Sequence, residues 1–292
     1  MRRIIAFFIL LTLALCLLAG CSQETAQVVA TTAPVCEFTR LICEGTSISV
    51  SQLVTEEVSC LHDYSLQVSQ MRMLESAELI VISGAGLEDF LADVLPSHKR
   101  IIDSSEGCHI HDGNHTHNHD SHEGHHHAVD PHIWLAPENA KIMAQNIADG
   151  LIDQYPEHAG VFEANLEKLI VQLDALQVYG KQALADLPRR ELITFHDGFA
   201  YFAEAFDLTI LRAIEEESGS EASAQELKEL ILLVQEHDLP AIFTEVNGST
   251  SAAQTVSAET SATLHALSMA MSGGSYFETM YYNIATVKEA LE

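Results

Sequence analysis

A long amphipathic segment near the middle of the chain constrains its fold more than any other feature. Between residues 158 and 184, apolar side chains recur at steps of three or four residues, at Phe162, Leu166, Leu169, Leu173 and Leu176. This spacing puts them on one face of a helix, and nothing breaks the pattern before Gly180. We therefore predict a linking helix over 158–187 that is long enough to span two lobes.

Short aliphatic or β-branched runs alternate with helical segments on both sides of this helix. The predicted strands cover 28–32, 47–53, 78–83, 100–103, 191–195, 208–211, 241–244 and 263–267. This alternation is typical of parallel βα units. The predicted fold class is α/β, with two similar lobes over 28–157 and 188–292, each built on four parallel strands. Ligands of such folds bind at the carboxyl ends of strands, here in the cleft between the lobes.

A glycine-rich turn follows the third predicted strand. Its sequence is Gly84-Ala85-Gly86-Leu87-Glu88. The remaining glycine of a dinucleotide-binding loop is missing, so we predict a tight turn from the strand into a helix that runs through Leu91.

The chain begins with an export signal. Arg2 and Arg3 precede an apolar run over 4–18, and Leu18-Ala19-Gly20-Cys21 follows. This ending resembles the bacterial lipobox, which implies cleavage before Cys21 and diacylation of its thiol. An ordinary secretory signal or a short membrane anchor is the alternative. We expect residues 1–20 to be removed, 21–27 to form a tether, and the mature chain to be extracytoplasmic and lipid-anchored to the cell membrane.

The mature chain is strongly acidic. Removing Arg2 and Arg3 reduces the 14 basic residues to 12 against 42 acidic ones, a formal net charge of −30. Nucleic acid and anionic lipid surfaces are poor partners for such a chain.

Four cysteines follow Cys21, at positions 36, 43, 60 and 108. They contain no CxxC pair, which argues against a closed zinc knuckle. One or two disulfides are compatible with these cysteines in an exported chain, and Cys36, Cys43 and Cys60 are the first candidates. The sequence does not fix which of them pair.

Nine of the 16 histidines are crowded into residues 109–127. Their neighbours are polar or glycine and show no apolar periodicity, so we predict a mobile tract that offers many weak nitrogen ligands for metal. These auxiliary ligands are His109, His111, His115, His117, His119, His122, His125, His126 and His127.

Three other histidines have apolar neighbours that would fix their positions: His62, His132 and His196. Any one of them alone is more often a structural histidine than a ligand. Three imidazoles at one cleft would suit zinc, which takes neutral nitrogen ligands in a tetrahedron and leaves a fourth position for water or carboxylate.

These motifs together resemble one family over nearly the whole mature chain, the zinc and manganese substrate-binding lipoproteins of bacterial metal ABC importers. The resemblance rests on the histidine-rich insert and on 61–64 (LHDY), 84–88 (GAGLE), 130–135 (DPHIWL), 194–197 (TFHD), 243–245 (FTE) and 276–283. It implies two lobes bridged by a rigid helix, with His62 and His132 from the first lobe and His196 from the second around one metal. It also implies that the insert lies over the cleft mouth, and that the partners are a permease and its ATPase. We expect a monomer.

The chain departs from the family at one point. Many members carry a carboxylate late in the second lobe, but residues 263–268 contain no acid. We assign the fourth metal position to water first, with His265 and Glu245 as alternatives. Fewer oxygen ligands favour zinc over manganese. Asp197 and Glu245 are candidate acceptors that would orient the imidazole rings.

The leading functional hypothesis is capture of Zn²⁺ outside the membrane and its delivery to a permease. A manganese importer component and a surface zinc-binding adhesin or reservoir are the alternatives. An enzyme is not expected. His122-Glu123-Gly124-His125-His126 fits the H-E-x-x-H pattern of zinc proteases, but it contains a glycine and lacks an apolar helix face.

Overall fold

The computed structural model describes residues 27–56, 61, 64–92, 94–95, 98–111, 129–215, 222–246, 248, 250–271 and 274–292. The predicted signal at 1–20, the lipidation site Cys21 and all but the last residue of the predicted tether lie outside these ranges. Within them, no helix combines the length and the apolar character that a membrane span requires.

The N-terminal lobe contains a parallel sheet whose strands are β1 (Val28–Ala30), β2 (Val50–Gln52), β3 (Leu79–Ile82) and β4 (Arg100–Asp103). Their spatial order is β2-β1-β3-β4. β1 and β3 are aliphatic and largely buried, as expected for central strands of a parallel sheet covered on both faces. The helices of this lobe are α1 (Ala33–Ile42), α2 (Val68–Ser76) and α3 (Pro137–Gln154).

The linking helix is α4 (Ala159–Ala183), which follows a single 3-10 turn at Pro156–His158. All five apolar residues of the predicted stripe face the core, from Phe162 to Leu176. Near its start, Asn165 Nδ2 donates to the carbonyl oxygens of Ile42 and Glu44, at 3.0 and 2.8 Å, where α1 ends. These bonds satisfy carbonyl groups at the helix end and fix the linking helix to the N-terminal lobe.

The C-terminal lobe contains a second parallel sheet of β5 (Glu191–His196), β6 (Thr209–Glu215), β7 (Ala241–Glu245) and β8 (Thr263–Leu267). Its order is β6-β5-β7-β8, the same winding as in the first sheet. The helices here are α5 (Ala200–Ala205), α6 (Ala224–Glu236), α7 (Ser251–Thr260) and α8 (Tyr276–Leu291).

This architecture confirms the predicted α/β fold class, the eight strands and the linking helix. The expectation for the glycine-rich turn was wrong in one respect. Gly84, Ala85 and Gly86 do form a tight turn, with φ of 84°, 53° and 83°, but only a 3-10 turn at Asp89–Leu91 follows it. An added Cβ at Gly84 would lie 1.9 Å from Asp103 Oδ1, so glycine is required there for space as well as for its backbone angle.

The expected disulfides are not formed by the described cysteines. Cys36, Cys43 and Cys108 are free thiols, and the first two are buried in the core. Burial raises the pKa of Cys36 to about 11 and that of Cys43 to about 12, so both are neutral packing groups. Cys60 lies outside the described residues.

We predict that Gly180→Ala destabilises the metal-free protein by about 1–3 kcal/mol through overpacking, despite a gain of up to about 1 kcal/mol in helix propensity. Gly180 faces the buried ring of Phe206, and an added Cβ would lie 2.2 Å from Phe206 Cε1. The measurement is the free energy of unfolding in urea.

Gly160→Ala is the matched control, because it lies in the same helix and an added Cβ there meets no atom within 4 Å. We expect this variant to be neutral or slightly stabilised. Equal stability of the two variants would contradict the proposed close contact between α4 and Phe206.

Candidate metal centre

His132 is held rigidly between the two lobes. Its side chain is 2% exposed and the 3-10 turn after it, Ile133–Leu135, is completely buried. The carboxylate oxygen Oδ1 of Asp130 accepts the backbone N–H of His132 at 2.9 Å and lies 2.8 Å from its Nδ1. With Nδ1 on the carboxylate, Nε2 is the nitrogen that can ligate a metal.

Asp130 is the charged partner of this ring. Burial alone would raise the pKa of Asp130, but the hydrogen bonds and charge of His132 hold that pKa below its usual value. The carboxylate is therefore ionised in spite of its burial. A carboxylate bonded to the far nitrogen of an imidazole is the arrangement that fixes and strengthens histidine ligands in metal sites.

Trp134 binds this segment to the C-terminal lobe. Its indole Nε1 donates to the carbonyl oxygen of Met269 at 2.7 Å, and its own carbonyl oxygen accepts from Tyr276 Oη at 2.9 Å. The ring centroids of His132 and Trp134 are 5.5 Å apart. The histidine is thus positioned by contacts with both lobes.

The C-terminal lobe brings the backbone of His196 close to that of Glu245. His196 is the last residue of β5 and Glu245 is the last residue of β7. Thr194 pairs with Phe243, so the two strands end at the same edge of the sheet. Glu245 is buried, and Asp197 follows His196 directly. The side chain of His196 lies outside the described structure.

His265 is placed differently. It lies in β8, two residues before the carboxyl end of that strand at Leu267. Its Nε2 is 3.0 Å from the hydroxyl oxygen of Thr263, two residues further back along the strand. The ring therefore bonds toward the amino end of the strand, away from the carboxyl edge at which β5 and β7 end.

His62 lies outside the described residues, but its neighbours are well anchored. Leu61 is buried in the core, and the backbone N–H of Tyr64 donates to its carbonyl oxygen at 3.0 Å. The hydroxyl of Tyr64 donates to Glu56 at 2.6 Å.

The first residues of the histidine tract are ordered, so the prediction of a mobile tract was wrong for 109–111. His109 exchanges two hydrogen bonds of 2.9 Å with the side chain of Asn139. The backbone N–H of His111 donates to Tyr201 Oη at 2.9 Å. The other seven predicted auxiliary ligands, His115 to His127, lie outside the described residues, as does the H-E-x-x-H match.

Sequence reasoning missed Tyr201, which joins the histidine tract to the cleft. Its hydroxyl accepts from His111 and donates to the carbonyl oxygen of Asp130 at 2.8 Å. An aromatic residue in a short helix has the sequence signature of a core residue, and Tyr201 is indeed buried. Only the tertiary fold reveals the polar role of its hydroxyl.

Known proteins that are similar to this chain include two that are named as zinc-binding. "Zinc-binding protein AdcA" of Streptococcus pyogenes serotype M3 is 30% identical over 91% of this chain, and "Zinc-binding lipoprotein AdcA" of Streptococcus pneumoniae serotype 4 is 28% identical over 96%. The matches cover 56% and 59% of those proteins, so the chain spans little more than half their length.

Two solved structures match over all or nearly all of their length. A crystal structure of ZnuA superposes with a TM-score of 0.79 at 30% identity, covering 91% of this chain and 100% of that one. A zinc-bound deletion mutant of ZnuA gives a TM-score of 0.77 at 29% identity, covering 91% and 98%. The family model described as "Zinc-uptake complex component A periplasmic" matches residues 28–290. The chain therefore belongs to the zinc-uptake complex component A family.

Proposed function

We propose that this chain is the extracytoplasmic zinc-binding component of an ABC transporter, which captures Zn²⁺ in the interlobe cleft and delivers it to a membrane permease driven by an ATPase. The observation that supports this proposal most strongly is the buried contact between the ionised carboxylate of Asp130 and the ring of His132. This contact lies where the two lobes meet. Family membership supports the same function. Such a protein binds and releases an ion and breaks no bond, so it is not an enzyme.

The proposed ligands of the captured zinc are His62, His132 and His196. His132 is supported by its carboxylate partner and its burial. His196 is supported by its position at the carboxyl end of β5, where ligands of parallel sheets bind. His62 rests on the family resemblance and on the anchored residues that flank it. Three imidazoles favour zinc over manganese, which prefers oxygen ligands.

The fourth coordination position of the zinc is proposed to hold water. Glu245 and His265 are the alternatives, and the positions of these two residues favour Glu245. Glu245 ends β7 beside the end of β5 and is buried. His265 turns its ring nitrogen toward Thr263. Glu245 and Asp197 remain the proposed acceptors that orient imidazole rings.

The remaining proposals concern location and assembly. The chain is proposed to be a monomer, attached to the membrane through a lipid on Cys21 and a tether over 21–27. The lobe boundaries at 28–157, 158–187 and 188–292 also remain proposals.

We predict that His132→Ala, His196→Ala and His62→Ala each abolish tight zinc binding, because three protein ligands define the site. The measurement is competition for Zn²⁺ against a chelator of known affinity. His98→Ala is the matched control, since His98 is an exposed histidine elsewhere in the N-terminal lobe. Unchanged affinity in the three variants would refute the ligand assignment.

Growth tests separate import from storage. A strain that lacks this chain should grow poorly in chelated medium and recover with the normal gene but not with the His132→Ala form. Normal growth of the deletion strain would favour a reservoir or adhesin instead.

We predict that Asp130→Asn lowers zinc affinity by about 10–100-fold, because the carboxylate fixes the imidazole of His132 and raises its basicity. The loss should be smaller than in His132→Ala. Asp153→Asn is the control, as Asp153 is an exposed aspartate that pairs with Arg100 across the surface. Equal affinity in Asp130→Asn and wild type would show that the carboxylate has no role in binding.

Glu245→Gln should lower zinc affinity by about tenfold or more, whether Glu245 orients a ring or contacts the metal. His265→Ala is the paired comparison and should leave affinity unchanged, because its ring bonds to Thr263. Chelator competition measures both. The reverse ranking would restore His265 as the fourth ligand.

A further inference from the structure

A second group of metal-ligating side chains lies outside the proposed cleft site. His109, His111 and Glu204 each offer one ligand atom, and these atoms all lie within 4.8 Å of one another. Glu204 Oε2 is 2.8 Å from His111 Nε2 and 3.7 Å from His109 Nε2. The ligand atoms of a tetrahedral zinc lie about 3.3 Å apart, so the two distances bracket the spacing that zinc needs.

The two histidines are held in place by residues far away in the sequence. Asn139 fixes the backbone of His109. Tyr201 binds the backbone N–H of His111, and its ring lies 4.4 Å from the imidazole, centroid to centroid. The two imidazole rings are 4.9 Å apart and nearly perpendicular. The backbones of both histidines are therefore already fixed, which lowers the conformational cost of binding a metal.

The group is also open to solvent. The side chains of His109 and Glu204 are 66% and 58% exposed, and that of His111 is 25% exposed. An ion can therefore reach the ligand atoms of His109 and Glu204 from solvent, whereas the Nε2 atom of His111 is itself covered. Water can complete the coordination on the exposed side. Two imidazoles and one carboxylate form a donor set that zinc binds with an open fourth position.

We propose that His109, His111 and Glu204 form a second zinc site that joins the two lobes and is separate from the cleft site. The histidines precede the segment 112–128 in the N-terminal lobe, whereas Glu204 is on α5 of the C-terminal lobe. A zinc ion held by all three would link the lobes beside the contacts of Tyr201. This site does not depend on the assignment of the cleft ligands.

The competing interpretation is a surface ion pair between histidine and glutamate that needs no metal. Pairs of this kind contribute little to stability when they are exposed. The two interpretations differ in zinc stoichiometry, because only a metal site changes the number of ions that the chain retains.

The test uses the full-length protein with the seven histidines between residues 115 and 127 replaced by serine, which removes their background binding. Equilibrium dialysis with Zn²⁺ alone should give about two ions per chain, one tight and one weaker. Glu204→Gln and His109→Asn should each lose the weaker ion and keep the tight one. Both side chains are exposed, so the fold should survive, and thermal unfolding checks this.

Glu163→Gln and His98→Asn are matched controls, because both residues are exposed and lie outside the group. They should retain both ions. Adding His132→Ala should remove the tight ion and spare the weaker one, so failure of the cleft assignment can be distinguished from failure of this site. Binding of only one ion before Glu204 or His109 is changed would overturn the proposal. Retention of two ions in Glu204→Gln and His109→Asn, or loss of the tight ion in them, would overturn it as well.

Discussion

The position of the proposed zinc ligand His132 depends on two hydrogen bonds that join Trp134 to the C-terminal lobe. Trp134 is completely buried, so its indole N–H must have an acceptor, and the carbonyl oxygen of Met269 in the C-terminal lobe provides it. Tyr276, at the start of α8, binds the carbonyl oxygen of the same residue. Breaking either bond would leave a buried polar group unpaired, which is costly, so the segment has little freedom to shift.

The linking helix extends this constraint over the length of the molecule. Asn165 binds it to the end of α1 in the N-terminal lobe, and Gly180 allows the ring of Phe206 to pack directly on it in the C-terminal lobe. A helix of 25 residues attached at both ends resists bending, because each turn is braced by its own hydrogen bonds. The two lobes are therefore joined by one continuous helix that packs on both of them.

The sequence was sufficient to predict the elements that depend on local pattern. The eight strands and the linking helix follow from periodicity, and the fixed position of His132 follows from the proline before it and the apolar residues after it. Long-range contacts explain the errors. His109 and His111 looked mobile because their partners Asn139 and Tyr201 lie 30 and 90 residues away in sequence.

Other errors came from general expectations about exported proteins. The disulfide prediction rested on the oxidising compartment, whereas Cys36 and Cys43 serve as small apolar residues in the core. Glu204 could not be recognised at all, because an exposed glutamate on a short helix is ordinary in an acidic chain. Glu204 becomes a candidate ligand only because the fold brings α5 close to residues 109–111.

Asp130 connects the two groups of histidines through three separate bonds. Its carboxylate holds His132, its backbone N–H donates to the carbonyl oxygen of His111 at 3.1 Å, and its carbonyl oxygen accepts from Tyr201. Through Asp130, His111 at the start of the histidine tract therefore helps to hold the proposed cleft ligand His132 in place.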